Sequence, residues 1–342
     1  MTVVEYNKKN ARKWSVIGER PTFGSALFEF AKEDKSIIAI VADVTNSAGL
    51  GNMKKELPEQ VINVGIAEQN MMGIATGLAS EGYTVFTSSF APFQSMRCLE
   101  QIRVNQGYMG QKVIMVGLAG GVAYGELGFT HCTVEDVSIL RSIPNIAVVT
   151  PADCMEVVKI VEAAINYKDS VYIRLMDKTG IPMVYTEDYD FIIGKAVPLI
   201  DEGEGTIEEE NSSENTNKKC EFVILANGPV VYNALQAAQK FTEDKGIKIA
   251  VYDFHTVKPV DEVLLNRLAG NKALLTVEEH SIIGGLGSAV ADYYADKEKR
   301  PIIYKLGLPD GYPHGASHET LLAEYYLDKD GIYGKLCALV AD

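Results

Sequence analysis

The chain has 342 residues, 47% of them hydrophobic and 23% charged; this supports a large core and is long enough for two domains. A formal net charge of −14, with no cluster of Lys or Arg, speaks against binding a nucleic acid backbone. No run reaches the roughly 18 consecutive apolar residues of a membrane span, and the polar start MTVVEYNKKNARKW is unlike a signal peptide, so a cytoplasmic protein is expected.

In chain order, Pro21 opens a helix over PTFGSALFEFAKED, and SIIAIVADV reads as a buried strand that ends at Asp43. A turn-rich stretch leads to the strand VINVG, and Gly65 then opens a helix in which Met71, Ile74, Ala75 and Leu78 recur at helical spacing. Glu68 falls in the first turn of that helix, where a carboxylate suits the helix dipole. Gly73 and Gly77 lie on a neighbouring stripe and predict close packing against another backbone. The strand YTVFTSSF, a helix around FQSMRCLEQIRVNQGYM and the strand KVIMVGLAG follow. After the glycine-rich GGVAYGELGFTHCT come a helix near VEDVSILRSI, the strand IAVVT, a helix from Pro151 and the strand VYIRLM. Apolar strands alternating with helices predict a parallel sheet covered on both faces, with ligands beyond the carboxyl ends of its strands.

Residues 201–219 hold seven acids, two lysines and almost no apolar residue, which predicts a solvated linker or insertion. Beyond it the alternation resumes through EFVILANG, VVYNALQAAQKFTEDKG, IKIAVYDF, VDEVLLNRLAG, KALLTVEEH, GGLGSAVADYYAD and IIYKLGL. A second α/β domain is expected there. GGLGSA lacks the third glycine and the acidic ribose partner of a dinucleotide loop and is read as close packing. Cys98, Cys132, Cys154, Cys220 and Cys337 have no CxxC spacing, so neither disulfides nor a zinc site is expected. His255, His280, His314 and His318 lack metal-ligand spacing, and no protein metal site is assigned.

The clearest chemical signal lies around Glu68 and the loop SSFAPFQSM. Phe90 and Phe93 follow a strand three residues apart and could form a platform for a flat heterocycle or simply enter the core. A carboxyl group near such a platform can bond a ring nitrogen, and burial raises a carboxyl pKa. Read alone, Glu68 is also explained as a helix-start acid.

GIAEQNMMGIATGLASEG, SSFAPFQSMRCLEQIR, GGVAYGELGFTHCTVEDVSILRSIPNIAVVTPAD and VYIRL resemble the pyrimidine-binding domain of the transketolase family, which includes 1-deoxyxylulose-5-phosphate synthase. The stretch from VILANG to TVEEHSIIGGLGSA resembles the C-terminal domain of the same family. The resemblance implies two three-layer α/β/α domains with parallel sheets: a pyrimidine-binding domain at 15–190, a linker or insertion at 191–219 and a C-terminal domain at 220–342. It makes Glu68 the glutamate that holds N1′ of the thiamine diphosphate aminopyrimidine, so that the 4′-nitrogen can take the thiazolium proton. Phe90 and Phe93 match positions that enclose the pyrimidine, with Met96 one turn on. Asp43 matches a cofactor contact, Ser47 and Arg174 substrate-phosphate contacts, Arg20 another such arginine, and His131 a donor contact.

Other readings stay open for these residues: a helix or turn cap for Asp43, a salt-bridged strand residue for Arg174, an exposed charge for Arg20 and a core histidine for His131. The sequence departs from the family pattern at Ala119, where a substrate histidine is expected, and at Leu127, where an aspartate that reads a donor hydroxyl is expected. No GDG motif occurs, which implies that a partner subunit holds the diphosphate and Mg2+ in an α2β2 heterotetramer. The expected activity is transfer of a two-carbon ketol unit from a ketose phosphate to an aldose. The alternatives are a synthase-like or 2-oxoacid dehydrogenase β-type subunit, and a non-catalytic scaffold.

Overall fold

The computed structural model describes residues 4–201 and 220–341. Apart from Asp201, the acidic stretch at 201–219 lies outside the described residues. Twelve strands are described: β1 (Ile37–Val41), β2 (Val61–Asn63), β3 (Thr84–Phe90), β4 (Ile114–Leu118), β5 (Ile146–Val149), β6 (Ser170–Arg174), β7 (Val197–Ile200), β8 (Phe222–Asn227), β9 (Ala250–Asp253), β10 (Thr256–Lys258), β11 (Ala273–Ser281) and β12 (Ile302–Leu308). They form a seven-stranded sheet in the order β10-β5-β6-β4-β3-β1-β2 and a five-stranded sheet in the order β12-β11-β8-β9-β7. Helices cover both sheets, giving two three-layer α/β/α units.

Each sheet is parallel, as expected, except at one edge strand. β10 pairs antiparallel with β5, and β7 antiparallel with β9. Both edge strands exchange the chain between the units: β7, inside the 191–219 stretch, already belongs to the second sheet, while β10 returns from the second half to the first. These strands are three and four residues long and carry no alternating pattern for the eye to find.

The register brings the carboxyl ends of the first sheet level. Val41 is paired with Asn63 and Ser88, Phe90 with Leu118, and Gly117 with Arg174. The side chains of β1 and β6 are buried throughout, as a strand covered on both faces requires. Asp43, Glu68, Phe90, the 119–131 loop and Asp177 therefore all follow strand ends on one rim. No helix among the described residues is long and apolar enough to cross a membrane.

The close helix packing expected at Gly73 and Gly77 is not made among the described residues. A Cβ at either position would meet nothing within 4 Å. The tight approach occurs elsewhere, where a Cβ on Gly24 in the helix Glu19–Glu33 would lie 2.1 Å from the Gly49 carbonyl oxygen. The glycines of GGLGSA are also packing glycines: a Cβ on Gly285 would lie 1.9 Å from Glu278 Oε2, an oxygen that accepts the Leu286 N–H at 2.6 Å.

Candidate active site

Glu68 opens the helix Glu68–Ser80 with no side chain capping it, and it is 3% exposed. An isolated carboxylate in that position would be costly, but here it has a partner. Both oxygens accept from Arg97 Nη1 at 2.9 Å. The Arg97 guanidinium also lies over the Phe93 ring, its Cζ 4.0 Å from the centroid. Phe93 and Arg97 bound a π-helical turn, Phe93–Arg97, an uncommon backbone form that is frequent at functional sites. Four residues apart, they share one face.

The row of contacts continues past Phe93. Phe90 meets it edge-on, with centroids 6.4 Å apart at 86°, and Phe90 in turn packs on Tyr124 at 5.8 Å. Burial, followed by a hydrogen bond to Asp177, pushes the Tyr124 hydroxyl up to about 12. Asp177 is paired with Arg20. A buried carboxylate, two aromatic rings, a phenol and a second ion pair thus run continuously along the rim. Met96 is exposed within the π-helical turn.

Asp43 lies one strand away from Glu68. Its backbone is left-handed, with φ 60°, and is held by reciprocal bonds: the Asp43 N–H donates to Asn63 Oδ1 at 3.1 Å, and Asn63 Nδ2 donates to Asp43 Oδ1 at 3.3 Å. Asn63 Oδ1 also accepts the Gly65 N–H at 2.9 Å, so one amide ties the end of β1 to the approach to Glu68. Asp43 caps no helix. Ser47 is half-buried in the turn that follows. His131 ends the short 3-10 turn Phe129–His131, its Nδ1 3.0 Å from Thr130 Oγ1. Among the described residues no hydrogen bond ties it to the Glu68 row.

Arg174 ends β6 and is buried. Its side chain is 6% exposed, its Nε donates to Asp136 Oδ2 at 2.9 Å, and its Nη2 donates to the Thr133 and Glu279 carbonyls at 2.7 and 3.1 Å. The Tyr172 hydroxyl donates to the same Asp136 at 2.7 Å. The ion pair ties β6 to the helix Asp136–Arg141 within the first unit, and the bond to the Glu279 carbonyl reaches the second.

The departures from the pattern also have structural settings. Ala119 is buried and left-handed, with φ 57°. Leu127 is 60% exposed. Between them, a Cβ on Gly121, with φ 71°, would lie 2.2 Å from Glu279 Oε1, the oxygen that accepts the Val122 N–H at 2.7 Å. His318 Nε2 sits 3.0 Å from the other Glu279 oxygen, so the second unit braces the glycine-rich loop.

Residues 17–179 match the family described as transketolase, pyrimidine binding domain, and residues 213–332 match transketolase, C-terminal domain. The chain belongs to the transketolase family. It is 38% identical over 322 residues to an apulose-4-phosphate transketolase subunit of Phocaeicola vulgatus, covering 93% of this chain and 96% of that one. It is 34% identical to a 6-deoxy-6-sulfo-D-fructose transketolase subunit of a Clostridium species, covering 92% and 91%. A solved split-gene transketolase, an inactive beta4 tetramer, superposes with a TM-score of 0.77 at 34% identity, covering 93% of this chain and 96% of that chain. This chain is thus a C-terminal transketolase subunit, a transferase. In this transketolase subunit Arg97, Tyr124 and Asp177 join the site residues read from sequence. Only Arg97 had a local signal, its four-residue spacing from Phe93; Tyr124 and Asp177 reach the row through folding alone.

Proposed function

We propose that this subunit supplies the cofactor-activating half of a site that transfers a two-carbon ketol unit from a ketose phosphate to an aldose. The observation that carries the reading is the pairing at Glu68: a buried carboxylate that already accepts two bonds from a flat N–H donor stacked on Phe93. An aminopyrimidine is likewise flat, stacks on an aromatic face and needs a carboxyl group at a ring nitrogen, so these residues fit it. Thiamine diphosphate, when bound, supplies the carbon nucleophile and the electron sink for breaking the bond beside a ketose carbonyl.

The chain's own residues divide the remaining work. Glu68 shares a proton with the pyrimidine ring nitrogen, and Phe90 and Phe93, with Met96, orient the ring and exclude water. Asp43 stays on the cofactor side; Ser47 and His131 serve the donor. Arg20 takes the phosphate contact, and Arg174 does not enter the proposal. The partner subunit holds the diphosphate and Mg2+, most simply in an α2β2 assembly. Two features support a partner at this rim. Ile66, two residues before Glu68, is among the most exposed large apolar side chains, and the Gly73/Gly77 face of the Glu68 helix is open.

The test is Glu68→Gln in the assembled enzyme, assayed with a panel of ketose phosphates. Assembly should persist while turnover falls by about 100-fold or more, the scale of losing acid–base assistance. Near-normal turnover would remove Glu68 from the chemistry.

A further inference from the structure

The partner of Glu68 occupies the very place that the proposed function gives to the cofactor. From this we infer that Arg97 is a built-in occupant of the pyrimidine site, one that stacks on Phe93 and satisfies Glu68 until the cofactor displaces it. The inference rests on the reading of Glu68 and Phe93 given above and adds a competitor to it.

Three features carry it. First, the guanidinium is planar and lies 4.0 Å from the Phe93 centroid, within stacking distance, so a heterocycle cannot use that face of Phe93 at the same time. Second, both Glu68 oxygens accept from Arg97 Nη1, so the carboxyl edge that would meet a ring nitrogen is taken. Third, the two partners differ in mobility. Glu68 is buried and fixed at a helix start, whereas the Arg97 side chain is 44% exposed, and among the described residues its guanidinium has no other acceptor. The long side chain can swing into water by giving up only the Glu68 bonds and the Phe93 stacking, but the carboxylate cannot follow it.

The occupant has a physical reason to exist. A chain separated from its cofactor would otherwise hold a buried carboxylate with no partner, and such a group is strongly unfavourable. Arginine suits the place better than lysine, because its flat fork both stacks and donates. The consequence is competition: the affinity for thiamine diphosphate is lowered by the fraction of sites in which Arg97 is closed down. A half-exposed ion pair is screened by salt, so higher ionic strength loosens the occupant.

The test uses the full chain assembled with its partner subunit and stripped of cofactor. Thiamine diphosphate with Mg2+ is titrated calorimetrically into wild type, Arg97→Ala, Arg97→Lys, Glu68→Gln and Phe93→Ala, and each melting temperature is recorded. Arg97→Ala should melt lower without cofactor yet bind thiamine diphosphate about tenfold tighter, as removal of a 90%-closed competitor requires, with Arg97→Lys in between. A lower melting temperature with equal or weaker binding in Arg97→Ala would make Arg97 a structural partner of Glu68 and overturn the inference. That failure is separable from failure of the site itself. If Glu68→Gln and Phe93→Ala bind as wild type does, the pyrimidine is not held there, and both the reading and the inference fall.

Discussion

Two arginine–carboxylate pairs lie behind the rim of the first sheet, and their surroundings assign them opposite work. Arg97 reaches Glu68 from water, while Arg174 and Asp136 are both sealed inside, with side chains 6% and 0% exposed. Breaking a buried pair leaves an unmatched charge and costs about 3–5 kcal/mol, whereas a half-exposed pair can open. Arg174→Met should therefore lower the melting temperature markedly, and the KM for a sugar phosphate, measured on the folded enzyme, should stay close to wild type. A raised KM with unchanged melting would return Arg174 to substrate binding. Sequence could name Glu68, Phe90 and Phe93 because their signal is local: a helix start and a strand-end loop. It could not separate the two roles of Arg174, because its partner Asp136 is 38 residues away and only folding brings them together.

At the scale of elements, the Glu68 helix is the part of the first unit whose packing is unfinished. Met71, Met72 and Ala75 are buried beneath it, yet Gly73 and Gly77 face open space. Helical periodicity found the buried side, but the close packing expected of the glycine stripe is not made by any described residue. What the stripe could not reveal was that no described residue of this chain packs on it, because a sequence does not distinguish an internal neighbour from an external one or from solvent. Gly77→Leu separates these cases. With no neighbour to clash and a gain in helix propensity of about 1 kcal/mol, the isolated chain should keep or slightly raise its melting temperature. Co-assembly with the partner subunit, followed by light scattering, should be lost. A variant that assembled normally would show the face to be solvent. The short strands β7 and β10 escaped the sequence for another reason: each owes its place to an edge offered by the other half of the chain.

Across the whole molecule, acids are buried where the two units meet, and they set how stability varies with pH. Burial pushes Glu19 up to about 8 and Glu278 to about 7. Burial also raises Glu156 and Asp253, which come from different units, with the Tyr185 and Tyr189 hydroxyls donating to Asp253 and Glu156 respectively; Asp153 beside them is raised too. A carboxyl group raised in the folded state keeps a proton that the unfolded chain releases above about pH 4. Its contribution is full below that pH and is lost as pH climbs through the folded value. Two buried histidines oppose this in acid. Burial lowers His255 to about 3 and His280 to about 4, so the unfolded chain takes up their protons first as pH falls below about 6.5. Glu279 is held low despite burial by His318, the Val122 N–H and Arg174, and its contribution fails only in stronger acid. Above about pH 6.5 His255 and His280 become neutral in the unfolded chain as they already are in the folded one, and the raised carboxyls lower stability as pH climbs to about 8. The melting temperature should fall across that interval at constant ionic strength. Glu19→Gln imitates the protonated acid and can still accept the Met176 N–H that Glu19 Oε2 accepts at 2.6 Å, so its profile should be shallower than that of wild type. A melting temperature that rose over the interval, or a Glu19→Gln profile parallel to wild type, would mean that these acids are ionised in the folded chain.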